Sequence, residues 1–535
     1  MTHRRASGAD RRAVLTGAAG VLLASAGARH ALAQAATAHK LAQNTVGQPQ
    51  STAVAPAPRP QPVHRAPTHT PLSPRQADIL VKALSDAESH GFRRDEFVGP
   101  DLSEALRTAG DFSDPHAQDL LKAAILDYAK AQRGGRIPLS AFPEDWSVRP
   151  AAYDPEPEFA AAVATDRLGA WLDSLPPRYE GYQALRKALT RYRAYKSWKV
   201  IPDGAPLKLG DKDPRVAALR ARLQAETLSP SPPVDPGVPH AKAKAPYLVY
   251  DAATAEAVKA FQRRYGLYPD GIAGPPTIAT LNAPLGQRVM QIEANMERWR
   301  WLPRELPATR VQVNIAATVL AVYQDGQPVM AMKAVAGKPG DATPMLTSQI
   351  QSIVLNPPWH VPDSIAKKEI WPKAQRDKGY LARNNFVVRK GDDGVPRLVQ
   401  EAGDKSALGR FKFDFPNSFG VYLHDTPAQS GFSRTSRLAS HGCVRLEQPK
   451  ALTNLLLQGD ADWPPDRVDE TVAGDKTIRV PLAQPIPVFI LYWTAFVDNA
   501  GAVEFRPDAY DWDREVLTLI GSVKGRDSST ENLDD

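Results

Sequence analysis

Cys443 is the only cysteine in this 535-residue chain. It can join neither an intramolecular disulfide nor a cysteine-rich metal site. It lies in Arg437-Leu438-Ala439-Ser440-His441-Gly442-Cys443-Val444-Arg445-Leu446, and the segment Val421-Tyr422-Leu423-His424-Asp425-Thr426-Pro427 precedes it. Two histidines, His424 and His441, therefore fall within 19 positions of the thiol. A free thiol titrates near ~8.5, so only a few per cent is thiolate at neutral pH. An imidazole within hydrogen-bond reach can take the proton during attack or hold a Cys⁻/His⁺ pair. Gly442 permits a tight backbone approach, suited to aiming N–H groups at a developing oxyanion. Arg445 points the same way as Cys443 if this segment is a strand, and can hold a carboxylate.

Two other readings compete. A lone cysteine is often an inert buried residue. His, His and Cys can also ligate zinc, although no fourth ligand is evident and no His-Glu-x-x-His pattern occurs. The elements needed to position a nucleophile are nonetheless present. From about residue 310 the apolar period becomes two, with Val311, Val313 and Ile315 alternating with other residues. Asp325-Gly326, flanked by apolar runs, predicts a hairpin. Further strands are expected at Ile350–Leu355, Lys412–Phe415, Val421–His424 and Val488–Tyr492.

Upstream, the pattern is helical. Leu80, Ala83, Leu84 and Ala87 fall at i, i+3, i+4, i+7 and end near Gly91; the spacing recurs through Leu121–Tyr128 and Leu185–Tyr192. Residues 205–283 hold two related helical pieces. One runs from Asp213 through Val216 and Leu219 to Leu223. The second is capped by Asp251 and carries Val258, Phe261 and Tyr265 on one face. A Pro- and Lys-rich insertion, about Glu226 to Leu248, separates them. The N-terminus reads as a targeting segment, with Arg11-Arg12 before a mildly apolar stretch and Ala31-Leu32-Ala33 as a cleavage site. Residues 34–75, rich in Ala, Pro, Gln and Thr, read as a flexible linker. The formal charge is +7, but five arginines against one aspartate lie in the first 33 residues, which leaves +3 for the rest. With no basic run interleaved with aromatics, nucleic-acid binding is not indicated.

Ser440-His441-Gly442-Cys443 with Arg445, preceded by His424, resembles the signature of the YkuD-type L,D-transpeptidase catalytic domain. The large, YcbB-like subclass is the nearest pattern, through Asn295-Met296-Glu297-Arg298-Trp299-Arg300-Trp301-Leu302-Pro303, Asn356-Pro357-Pro358-Trp359-His360-Val361-Pro362 and Tyr492-Trp493-Thr494-Ala495-Phe496. Phe261-Gln262 followed by Tyr268-Pro269-Asp270-Gly271-Ile272-Ala273-Gly274 resembles the peptidoglycan-binding type 1 domain. One departure is Asp404-Lys405-Ser406-Ala407-Leu408-Gly409, where relatives commonly read Pro-x-Asn-Ala-Leu-Gly.

The resemblance implies a multidomain α+β protein. Its expected parts are a twin-arginine signal peptide (1–33), a linker (34–75), a helical scaffold domain (76–204) and a small helical peptidoglycan-binding-like domain (205–283). A mainly-β catalytic domain (290–500), with a mobile capping insertion at about 364–407, and a C-terminal segment with a polar tail (501–535) complete it. It implies Cys443 as nucleophile and His424 as base, with His441, Gly442 and Ser440 shaping the oxyanion region. Arg445 is implied as a substrate-binding and structural position, and Tyr422 and Trp359 line either the cleft or the core. The implied reaction is a thioester acyl transfer that makes 3→3 cross-links between peptidoglycan stem peptides in the periplasm. It needs no metal or organic cofactor, and the thiol is expected to be acylated by carbapenems. The implied partners are stem peptides, glycan and cell-wall synthesis proteins, with no nucleic acid and no membrane anchor after signal cleavage. Hydrolysis by the same site, as a carboxypeptidase or endopeptidase, and a non-catalytic wall-binding role are the alternatives.

Overall fold

Asp325 and Gly326 both have positive φ, 49° and 77°, and form the two-residue turn between a pair of antiparallel strands. That geometry matches the right-handed twist of the flanking strands. The computed structural model describes residues 71–93, 95–108, 114–226, 248–391, 393–498 and 501–521. The expected signal peptide, nearly all of the linker, the insertion between Glu226 and Leu248 and the polar tail lie outside the described residues. The described architecture is multidomain α+β, helical at first and sheet-rich from residue 310.

The strands are β1 (Arg310–Asn314), β2 (Val319–Gln324), β3 (Gln327–Gly337), β4 (Leu346–Leu355), β5 (Trp359–His360), β6 (Phe386–Lys390), β7 (Pro396–Gln400), β8 (Phe411–Asp414), β9 (Leu423–His424), β10 (Leu438–Ser440), β11 (Val444–Leu446), β12 (Ile478–Leu491), β13 (Ala495–Val497) and β14 (Val503–Phe505). The main sheet runs β10-β3-β11-β9-β8-β4-β12-β1-β2, and a further β2–β3 pairing closes it on itself. Closure removes free sheet edges. The alternation read at Val311, Val313 and Ile315 reflects this core, in which all three are fully buried.

Residues 359–400 form a separate layer beside the sheet. β5, β7 and β6 make a three-stranded sheet, packed around Val361, Ala366, Ile370, Phe386 and Leu398. This layer overlaps the segment expected as a capping insertion, about 364–407, and has a small core of its own.

The helical part folds as its signals predict. Ser73 caps the helix Pro74–Ser85 with a capping box to Gln76, and Gly91 ends the following turn in the left-handed region. Helices Pro115–Gly134 and Glu180–Ala194 bury Leu121, Ile125 and Tyr128, and Leu185, Leu189 and Tyr192. Asp251 caps Ala252–Arg264, its carboxylate accepting from the Thr254 N–H at 2.8 Å.

The helix Leu285–Arg300 ties these parts to the sheet. Glu297 is fully buried and pairs with Arg136 at 3.0 Å and with Arg300 at 2.9 Å. Burial alone would push its carboxyl up; the two guanidiniums outweigh that and hold it low. Trp299 stacks on Trp493, ring centroids 4.6 Å apart. Met345, just before β4, exchanges main-chain hydrogen bonds with Asp145 and Ser147 of the helical part, each 2.8 Å. After residue 500 the chain stays in contact with the body: β14 pairs with β13, and Trp512 packs edge-on against Trp146 and Tyr492.

Candidate active site

β9 and β11 run parallel, with Leu423 opposite Val444 and His424 opposite Arg445. In a parallel pair, residues in register project to the same face, and alternate residues share it. Tyr422, His424, Cys443 and Arg445 therefore form one side-chain row. The sequence expectation that Arg445 and Cys443 share a direction is met by this register.

The thiol is half-buried. Burial pushes its pKa up, and the neighbouring Tyr422 main chain and phenol pull it back. Trp359, at the start of the 359–400 layer, partly offsets the rise in the Tyr422 pKa. Tyr422 itself is held protonated, its pKa raised by burial and then by the facing Cys443. Lys412, in β8 next to β9, lies 4.3 Å from the centre of the Tyr422 ring and is paired with Asp414 at 2.7 Å.

His424 is buried, one step along the row, with its ring centroid 5.5 Å from that of Tyr422. Its Nδ1 lies 2.5 Å from the Asp425 carbonyl oxygen. A carbonyl can only accept, so the proton belongs on Nδ1 and Nε2 keeps the lone pair. Burial, then the facing Arg445, lower the His424 pKa to about 3, while main-chain hydrogen bonds with Asp425 and Leu408 pull the other way. Both members of the pair are thus neutral at pH 7, a thiol and an imidazole rather than Cys⁻/His⁺. The sequence had left these two states open.

The turn before Cys443 is fixed from several sides. Gly442 has φ +112°, a conformation that L side chains avoid. Its carbonyl accepts from the Thr343 hydroxyl at 2.7 Å, and that hydroxyl accepts from the Gly337 N–H at 2.8 Å. Tyr510, beyond residue 500, donates to the Gly337 carbonyl and accepts from the Thr343 N–H. Buried Ser440 donates to the Cys443 carbonyl at 2.5 Å and accepts from the Gly442 N–H at 3.2 Å. His441, on the open side, lies 2.6 Å through Nε2 from the Glu369 carboxylate of the capping layer.

Sequence reasoning missed Asp425, Glu369, Lys412 and Thr343. Asp425 had a signal, since it follows His424 directly. Its carboxylate is pinned by the Arg410 N–H at 2.7 Å and the Thr426 N–H at 2.6 Å. The departing segment 404–409 leads into this spot. Gly409, at φ +61°, packs so closely that a Cβ there would lie 2.3 Å from the Asp425 carboxyl carbon. Among the described residues no group of three or more His, Cys, Asp or Glu is arranged to hold a metal. No described helix is long and apolar enough to cross a membrane.

Three family models match segments of the chain. Residues 308–472 match the YkuD family, the L,D-transpeptidase catalytic domain. Residues 69–189 match a scaffold domain family, and residues 212–281 match the family described as "Putative peptidoglycan binding domain". These matches cover separate segments of the chain, the YkuD match taking in the sheet-rich part and the site. A protein of Haemophilus influenzae named "Putative L,D-transpeptidase" is 33% identical over 219 residues, 38% of this chain and 44% of that protein. The chain thus spans less than half the length of this relative. Among solved structures, an L,D-transpeptidase from Mycobacterium smegmatis is 18% identical, covering 34% of this chain and 58% of that one at a TM-score of 0.18. The L,D-transpeptidase of Xylanimonas cellulosilytica is 19% identical, covering 54% of this chain and 98% of that one at a TM-score of 0.18. At such scores the overlaps carry no structural argument.

Proposed function

We propose that the chain is an exported L,D-transpeptidase that remodels peptidoglycan through a thioester on Cys443. The observation that carries this reading is the β9–β11 register, which gathers a thiol, a phenol, an imidazole and a guanidinium into one row. The Cys443 sulfur attacks the carbonyl of the third residue of a donor stem tetrapeptide, and its proton passes to Nε2 of His424. The oxyanion that forms is met by the Cys443 N–H in the Gly442 turn and by the Tyr422 phenol. No described residue accepts from that N–H. Collapse breaks the amide bond, and the imidazolium returns the proton to the departing D-alanine amine. The thioester is then attacked by the side-chain amine of a diaminopimelate on a neighbouring stem. That amine loses its proton to His424, and the sulfur leaves and is reprotonated. The product is a 3→3 cross-link.

A resting imidazole with a pKa near 3 is a weak base by itself. Negative charge building on the oxyanion favours the imidazolium, so base strength rises as the transition state forms. The capping layer, which reaches Tyr422 through Trp359, limits the access of water that would otherwise hydrolyse the thioester. The peptidoglycan-binding unit is the natural contact for glycan, and both domains suit an extracytoplasmic setting. Incubating the purified chain with a disaccharide-tetrapeptide donor, and sequencing the products by mass spectrometry, tests the reading. Cross-linked dimers joined 3→3 are expected from the wild type and none from Cys443→Ala; tripeptide alone would mean hydrolysis.

A further inference from the structure

Arg445 is half-buried beside the thiol, and among the described residues it forms no ion pair. Its Nε is buried without a hydrogen-bond partner. The acidic groups whose charge reaches it are Cys443 and Glu369. Glu369 stands 72 positions before His441 in sequence, yet its carboxylate bridges to the His441 imidazole at 2.6 Å. It is held there by a π-helical turn, Ala366–Ile370, whose Ala366 and Ile370 side chains are buried in the capping core. Such turns widen a helix by one residue and often occur at functional sites. Here the turn anchors two neighbouring residues inward and presents Glu369 towards the rim of the cleft.

We propose that Glu369 fills a carboxylate subsite formed by His441 and Arg445, and that a carboxylate of the donor peptide takes its place when substrate binds. This rests on the transpeptidase reading for the identity of the donor, but not for the existence of the subsite. The chemistry favours exchange. The Glu369 side chain is 41% exposed and that of His441 31%, so the bridge is a rim contact. Exposed contacts of this kind are weak. The planar Arg445 guanidinium, its Nε buried without a partner, offers a carboxylate paired hydrogen bonds, a better partner than a half-solvated imidazole. An incoming carboxylate therefore gains Arg445, and the capping layer loses only a weak tie. Glu369 acts as a specificity residue: a donor without a carboxylate near the scissile bond does not displace it efficiently. Lys368 and the Lys338–Asp341 pair, at 3.0 Å, frame the same rim.

The test compares alkylation of Cys443 by iodoacetate, which carries a carboxylate, and by iodoacetamide, which is its neutral analogue. Rates would be followed by intact-protein mass spectrometry on the full chain. Glu369→Gln keeps the side-chain shape and removes the competing charge. The iodoacetate-to-iodoacetamide rate ratio is expected to rise about two- to fivefold, the fold-change of removing one weak rim contact and its charge. Asp341→Asn removes a carboxylate on the same rim that is not in the subsite, and should leave the ratio unchanged. In Glu369→Gln/Arg445→Gln the gain should vanish. An unchanged ratio in Glu369→Gln overturns the proposal, as does an equal rise in Asp341→Asn, which would mean unspecific charge removal. A parallel cross-linking assay separates the two readings. Cross-linking with an unmoved ratio sinks this inference alone, whereas a moved ratio without cross-linking sinks the transpeptidase reading alone.

Discussion

Removing the His424 imidazole, as in His424→Ala, should turn a reaction that is nearly independent of pH into one that climbs steeply with it. An ordinary thiol is only about 3% thiolate at pH 7, and burial moves Cys443 further towards the thiol. Relying on thiolate alone therefore costs at least about 30-fold. The loss of a positioned base brings the expected deficit to about 10²–10⁴. The variant should recover about tenfold per pH unit on the alkaline side. The wild type behaves differently because burial and Arg445 hold His424 down to about 3, so the ring stays neutral through the physiological range. Its acylation rate should be flat from about pH 5 to 8, where a histidine titrating near 6.5 would already have lost tenfold by pH 5.5. The sign for stability runs the same way. A lowered histidine pKa favours the fold above about 6.5, and that contribution fades as pH falls towards 3, because the unfolded ring takes up the proton. Each rate should be paired with circular dichroism to verify folding. A wild-type midpoint near 6.5 would refute the buried neutral imidazole. An alanine variant acylating at the wild-type rate at pH 7 would refute His424 as the base.

Tyr422→Phe removes one donor to the sulfur, worth about 0.5–1.5 kcal/mol, so acylation should slow roughly two- to tenfold and the thiol should titrate higher. An unmoved thiol titration curve would show that the phenol does not act on Cys443. Gly409→Ala places a methyl on a left-handed residue, against Asp425, and should lower kcat at least about tenfold for about 1–2 kcal/mol of stability. Full activity in that variant would mean that the Asp425 contact does not position His424. Glu297→Gln leaves Arg136 and Arg300 facing each other in a dry site and should cost about 3–5 kcal/mol in denaturant unfolding. A loss below about 1 kcal/mol would show that water or relaxation compensates.

Local chemistry made much of this structure readable. Asp325-Gly326 gave its turn because both residues tolerate positive φ, and Asp251 its cap because a carboxylate can accept from the first turn of a helix. Cys443 stood out as the only thiol, and its strand neighbour Arg445 followed from a period of two. What stayed hidden depends on contacts between distant segments. Glu369 meets His441 only because the 359–400 layer brings it there, and no spacing in the sequence records that. The partner of the His424 ring is a main-chain carbonyl, which every residue possesses, so no residue type announces it. Tyr422 shares a face with Cys443 through the β9–β11 register, which a two-residue strand leaves ambiguous until it is paired. Tyr510 braces the Gly337–Thr343–Gly442 relay from the C-terminal segment, to which the sequence assigned no role in the site.

The claim on which everything else depends is that Cys443 becomes acylated. Intact-mass spectrometry of the wild type after exposure to a carbapenem, followed by peptide mapping, measures this directly. One covalent adduct is expected, on the peptide containing Cys443, labile to hydroxylamine as a thioester is and absent from Cys443→Ala. An adduct that persists in Cys443→Ala, or a folded wild type that never gains the mass, would contradict the account.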